Sequence, residues 1–150
     1  MLTRVLFAFV LISGLAAIAG LGPQALAGGE SASKTKVLAF GLTDHEVTAE
    51  ELEKGATLPV PRFNTPALAY VLAANLKKGD MVQLRLWNED KAVVRNEATL
   101  DSDKPNFLLL AGKRGVPPGG WPGGTYHAAL EITRDGKPLI SETTKPMVFE

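Results

Sequence analysis

Between Thr125 and Thr133 the side chains alternate, and this periodicity limits the fold more than any other feature of the chain. Tyr126, Ala128, Leu130 and Ile132 fall on one side, His127, Ala129, Glu131 and Thr133 on the other. A period of two belongs to a β-strand with one face buried. Arg134-Asp135-Gly136-Lys137 follows as a tight hairpin signal. The segment from Leu139 to Glu150 then returns as a last strand, interrupted by Pro146.

The same reading extends upstream. Val82, Leu84 and Leu86 alternate with Gln83, Arg85 and Trp87, predicting a strand from Met81 to Trp87. Asn88-Glu89-Asp90-Lys91 is a polar turn. Ala92–Leu100 reads as a more polar strand near an edge, Asn106–Ala111 as a short apolar strand, and Lys36–Leu42 as the first strand. Thr48 and Glu51 have capping-box spacing, and Gly55 can stop the short surface helix they begin. Thr65–Leu76 admits two readings. Thr65-Pro66 and the alanine- and leucine-rich run suit a helix. The alternation of Leu68, Tyr70, Leu72 and Ala74 before Lys77-Lys78-Gly79-Asp80 suits a strand entering a turn, and the strand is adopted here. About seven short strands with regular turns predict an all-β antiparallel sandwich.

The chain begins with Arg4, a long apolar run and then Ala25-Leu26-Ala27 before a small polar segment. This is the pattern of a secretory signal peptide, residues 1–27, cut after Ala27. The competing reading is a retained anchor, since roughly 20 apolar residues cross a bilayer. Cleavage leaves no membrane span. Removing 27 of 150 residues leaves 123, enough for one domain: a flexible lead-in over residues 28–35, then the sandwich over residues 36–150. An export signal places the protein in the periplasm or outside the cell.

Export makes the absence of cysteine informative. The core must hold without disulfides, and thiol chemistry, thiolate metal sites and c-type haem attachment are excluded. Sixteen basic and sixteen acidic residues give no electrostatic case for nucleic acid. No Gly-x-Ser-x-Gly elbow, phosphate-binding glycine loop or His-Glu-x-x-His occurs, so no enzyme and no cofactor are expected.

Trp121-Pro122-Gly123-Gly124-Thr125-Tyr126, ahead of an alternating strand, resembles the tyrosine corner of immunoglobulin-like sandwiches. With Tyr70, Gly79-Asp80, Trp87 and the Asp135-Gly136 hairpin, the chain from Val37 to Phe149 is similar to exported bacterial domains of immunoglobulin-like or fibronectin type III-like build. The resemblance implies the sandwich and a structural role for Tyr126. It carries no function with it.

Four places are candidate sites. Trp121, framed by Pro118 and Gly120, is either a stacking platform for a sugar ring or proline-rich peptide, or a plug over the open end of the sandwich. Trp87 points away from Leu84 and Leu86, so it is either exposed or covers the sheet face under a loop. Asp44, His45 and Glu46 are possible metal ligands, or a solvated acidic turn. His127 lies on the outward side of its strand as a surface histidine. The leading expectation is a non-catalytic binding module for an envelope or extracellular protein or glycan, acting through the Trp121 loop or an exposed strand edge. The alternatives are a secreted peptidase inhibitor on an immunoglobulin-like scaffold, and a periplasmic metal-binding protein.

Overall fold

A computed structural model describes residues 34–150 of the chain. The signal peptide, its cleavage after Ala27 and most of the lead-in lie outside the described residues. Within these bounds the chain forms β1 (Lys36–Thr43), α1 (Ala49–Glu53), β2 (Ala67–Leu76), β3 (Met81–Asn88), β4 (Lys91–Thr99), β5 (Lys104–Lys113), β6 (Thr125–Arg134), β7 (Lys137–Thr143) and β8 (Met147–Val148).

The strands make two antiparallel sheets packed against each other, an all-β sandwich. One sheet has the order β1-β2-β5; the other runs β4-β3-β6-β7, with β8 also on β6. The core between them takes the inward sides of β3 and β6: Val82, Leu84, Leu86, Tyr126, Ala128, Leu130 and Ile132. Each large apolar side chain so buried contributes about 1.5–3 kcal/mol.

β2 is a strand despite its helix-favouring residues, because it is the central strand of its sheet, laddered to β1 and β5. The face it turns to the core is not the one that alternation singled out. Ala67, Ala69, Val71 and Ala73 face the sandwich interior, while Leu68, Leu72 and Ala74 take the opposite face and are buried as well. Burial on both sides erases the polar half of the alternation. At Asn75 the backbone turns to φ 60°, and Leu76 swings back into the core.

The C-terminal return is two strands, which raises the count from about seven to eight. The ladder breaks at Thr144. Its Oγ1 accepts from the Ala128 amide at 2.9 Å and its own amide donates to the Ala128 carbonyl at 3.0 Å. Pro146, which has no amide proton, then separates β7 from β8. The hairpin between β6 and β7 turns at Asp135 (φ 54°) and Gly136 (φ 76°), two left-handed residues as a two-residue hairpin requires. α1 has its capping box: Thr48 Oγ1 accepts from the Glu51 amide, and the Glu51 carboxylate accepts from the Thr48 amide.

The two ends of the sandwich are closed differently. At one end Asp80, fully buried, accepts two bonds from Arg134, at 2.8 and 2.7 Å, and one from the Lys77 amide. Arg134 also donates to Thr35 Oγ1, which donates to the Asn75 carbonyl. The Arg134 guanidinium holds the Asp80 carboxyl below the usual carboxylate range, against the opposing effect of burial. At the other end stands an aromatic cluster. Tyr126 and Phe149 stack with centroids 4.0 Å apart, and Trp121 meets both edge-on at 6.2 and 6.1 Å.

Candidate ligand-binding face

Trp121 lies in that cluster with 7 % of its surface exposed. Its Nε1–H donates to the Thr65 carbonyl at 2.8 Å, and its amide donates to the Phe63 carbonyl at the same distance. Both the ring and its polar edge are therefore used internally, which is the plug arrangement and leaves no open face for stacking. Gly120, at φ 91°, brings the chain close to Phe63; a Cβ there would sit 2.8 Å from the Phe63 ring. Pro118 is exposed, on the turn closed by the Gly120 amide bonding the Pro117 carbonyl.

Tyr126 is fully buried, and its hydroxyl donates to the Pro122 carbonyl at 2.6 Å, four residues upstream. Asn88 Nδ2 donates to the same hydroxyl at 3.1 Å and to the Gly123 carbonyl. Burial raises the phenol above its ordinary range, so it stays a donor at neutral pH. The loop before β6 is also held by Glu89, whose carboxylate accepts from the Thr125 amide and hydroxyl.

The Asp44-His45-Glu46 turn does not gather round a common point. His45 Nδ1 is 2.9 Å from Asp44 Oδ1 and His45 Nε2 is 3.6 Å from Glu51 Oε1, whereas Glu46 pairs with Arg114 at 2.8 Å. Among the described residues no three histidine or carboxylate side chains are placed to share a metal. The carboxylate of Asp44, with a further contribution from Glu51, raises the His45 imidazole above its ordinary range.

Trp87 is the aromatic residue with a different setting. It projects from the outer face of the five-stranded sheet, half-buried, opposite His127 in the β3–β6 ladder. The two rings lie parallel within 3°, with centroids 6.2 Å apart. Cross-strand partners share a face, so the register builds the rest of this surface in rows. Arg85 stands opposite Arg95 on one side and Ala129 on the other; Ala129 in turn faces Thr143. In the next row Gln83 lies between Glu97 and Glu131, with Ser141 beyond. The small Ala129 leaves a depression of about 310 Å³, walled by Trp87 and His127 at one end and by Gln83, Glu131 and Ser141 at the other.

The polar groups there are mostly unspent. Gln83 donates to Glu97 at 3.0 Å and accepts from Arg85 Nη2 at 2.9 Å. Among the described residues, the side chains of Arg95, Glu131, Ser141 and Thr143 have no hydrogen-bond or ion-pair partner. The face therefore offers an aromatic wall, guanidinium donors and carboxylate and hydroxyl groups, all carried on laddered strands rather than loops.

Of this surface, sequence reasoning found Trp87 and placed His127 outward, but did not join them and missed Arg85 and Arg95. Counting back from the β3–β4 turn would have set Arg85 against Val94. A bulge between Leu86 and Trp87 shifts the register by one and sets it against Arg95. No family model matches this chain, and no curated protein does.

Proposed function

We propose that this chain is an exported, non-catalytic binding module of the periplasm or cell surface, and that it engages its ligand through the open face of the five-stranded sheet. Export rests on the charged start, apolar run and Ala25-Leu26-Ala27 of the N-terminus. Among the described residues no helix is long and apolar enough to cross a membrane. Kinship with immunoglobulin-like domains is supported by the order β1-β2-β5 against β4-β3-β6-β7 and by the Tyr126–Pro122 bond.

The observation that carries the binding reading is Trp87. A large aromatic ring held half-open beside His127, over a depression with unpaired polar groups, is the composition of a ligand site. The loop that holds Trp121 is a weaker alternative, because that indole is consumed by the core.

Affinity capture from an envelope extract tests this. The bait is the chain made from its full sequence with a C-terminal tag, compared with Trp87→Ala and Pro118→Ala versions. Bound protein or glycan lost only with Trp87→Ala supports the face. Material lost with Pro118→Ala and kept with Trp87→Ala places the site on the loop instead.

A further inference from the structure

Arg85 and Arg95 stand directly opposite each other in the β3–β4 ladder. Like charges directly opposite in an antiparallel ladder repel, and neither guanidinium has a carboxylate within ion-pair distance among the described residues. Two acids, Glu97 and Glu131, stand one row away on the same face without forming an ion pair with either arginine among the described residues. Glu97 is held by Gln83 Nε2, and Glu131 makes no ion pair among the described residues. Gln83 Oε1 also accepts from Arg85 Nη2, which fixes the guanidinium while leaving its other donors open. An aromatic wall, Trp87 with His127, lies on the other side of the arginine row.

We propose that this face binds an acidic saccharide, with a sugar ring against Trp87 and its carboxylate on Arg85 and Arg95. The inference rests on the sheet-face reading of the binding module and names its ligand class. A sugar ring presents apolar C–H groups on one side and hydroxyls round its rim, so it needs an aromatic surface flanked by both donors and acceptors. Glu131, Ser141 and Thr143 supply groups for the hydroxyls. The carboxylate is the direct ion-pair partner that neither arginine has among the described residues, in the bidentate geometry a guanidinium fork favours. The depression of about 310 Å³ is at the small end of ligand pockets and is lined by Arg85, with Arg95 beside it across β3.

The test is calorimetry at low salt with trimers of galacturonate, glucuronate, mannuronate and guluronate, each beside its methyl ester. The ester keeps the ring and removes the charge. At least one free acid should bind, with its ester at least tenfold weaker and affinity falling as salt rises. Trp87→Ala should lose that binding. Arg95→Glu should lose it too while raising the melting temperature, because the new carboxylate pairs with Arg85; a loss of function through poor folding would lower it.

Equal binding of acid and ester, or binding unaffected by Arg95→Glu, overturns the proposal. So does failure of all four trimers. If capture from envelope extract still depends on Trp87 in that case, the ligand class is wrong and the binding face stands; if it does not, both fall.

Discussion

The indole of Trp87 and the imidazole of His127 lie parallel on the outer sheet surface, 40 positions apart in the chain and directly opposite in the β3–β6 ladder. The other tryptophan, Trp121, is edge-on to Tyr126 and Phe149 inside the aromatic end of the sandwich. The two indoles thus stand in different settings, one on an open sheet face and one in the core, and substitution separates them. Trp87→Ala removes one cross-strand aromatic contact and should change stability by about 1 kcal/mol or less. Trp121→Ala empties part of the core and leaves the Thr65 carbonyl without its donor, a loss of about 3–5 kcal/mol. Urea unfolding of the two variants measures the contrast.

The Tyr126 hydroxyl joins Pro122, Asn88 and the start of β6. Tyr126→Phe keeps the stack on Phe149 but leaves the Pro122 carbonyl without this donor and Asn88 without this acceptor. The expected cost is about 1–3 kcal/mol. It should appear as a lower urea midpoint with an unchanged slope, since the surface exposed on unfolding stays the same.

Asp80 and Arg134 make stability depend on acid. The carboxyl is depressed below its ordinary range, so the folded state binds its proton less readily than the unfolded chain does. Its contribution is therefore complete above the ordinary carboxylate range and is lost as pH falls through the depressed value. Asp80→Asn should cost about 3 kcal/mol at neutral pH. The gap from the wild type should narrow below about pH 4, where the reference carboxyl is protonated. His45 acts with the opposite sign. Its raised imidazole stabilises the fold below the ordinary histidine range, and that contribution is lost as pH rises through the raised value. Unfolding midpoints measured across pH 2.5–8 with Asp80→Asn and His45→Gln would separate the two.

What was legible in the sequence is what one strand or one turn decides alone. β3, β6 and the Asp135-Gly136 hairpin carry a half-buried alternation and left-handed turn residues. The Thr48–Glu51 cap needs only its own four residues. β2 was obscured because both of its faces are buried and its alanines face the core, so no polar half remained to mark the strand. The break at Thr144 depends on the Ala128 backbone across the sheet. Trp121's burial depends on a carbonyl at Thr65, 56 residues away. The face itself is a product of register: a bulge at Leu86–Trp87 sets Arg85 against Arg95, and no local spacing announces it.

The chain has two tryptophans, so its nitrogen–proton spectrum contains two indole N–H signals. Recording it while titrating the material recovered by envelope capture tests the binding face most directly. Trp87→Phe and Trp121→Phe versions assign the two signals. The account predicts that the Trp87 indole signal and the amides of Arg85, Ala129 and Thr143 shift in a saturable way while the Trp121 indole signal stays in place. A shift of the Trp121 signal, or of the loop amides at Gly119 and Gly120, with Trp87 unmoved would contradict it.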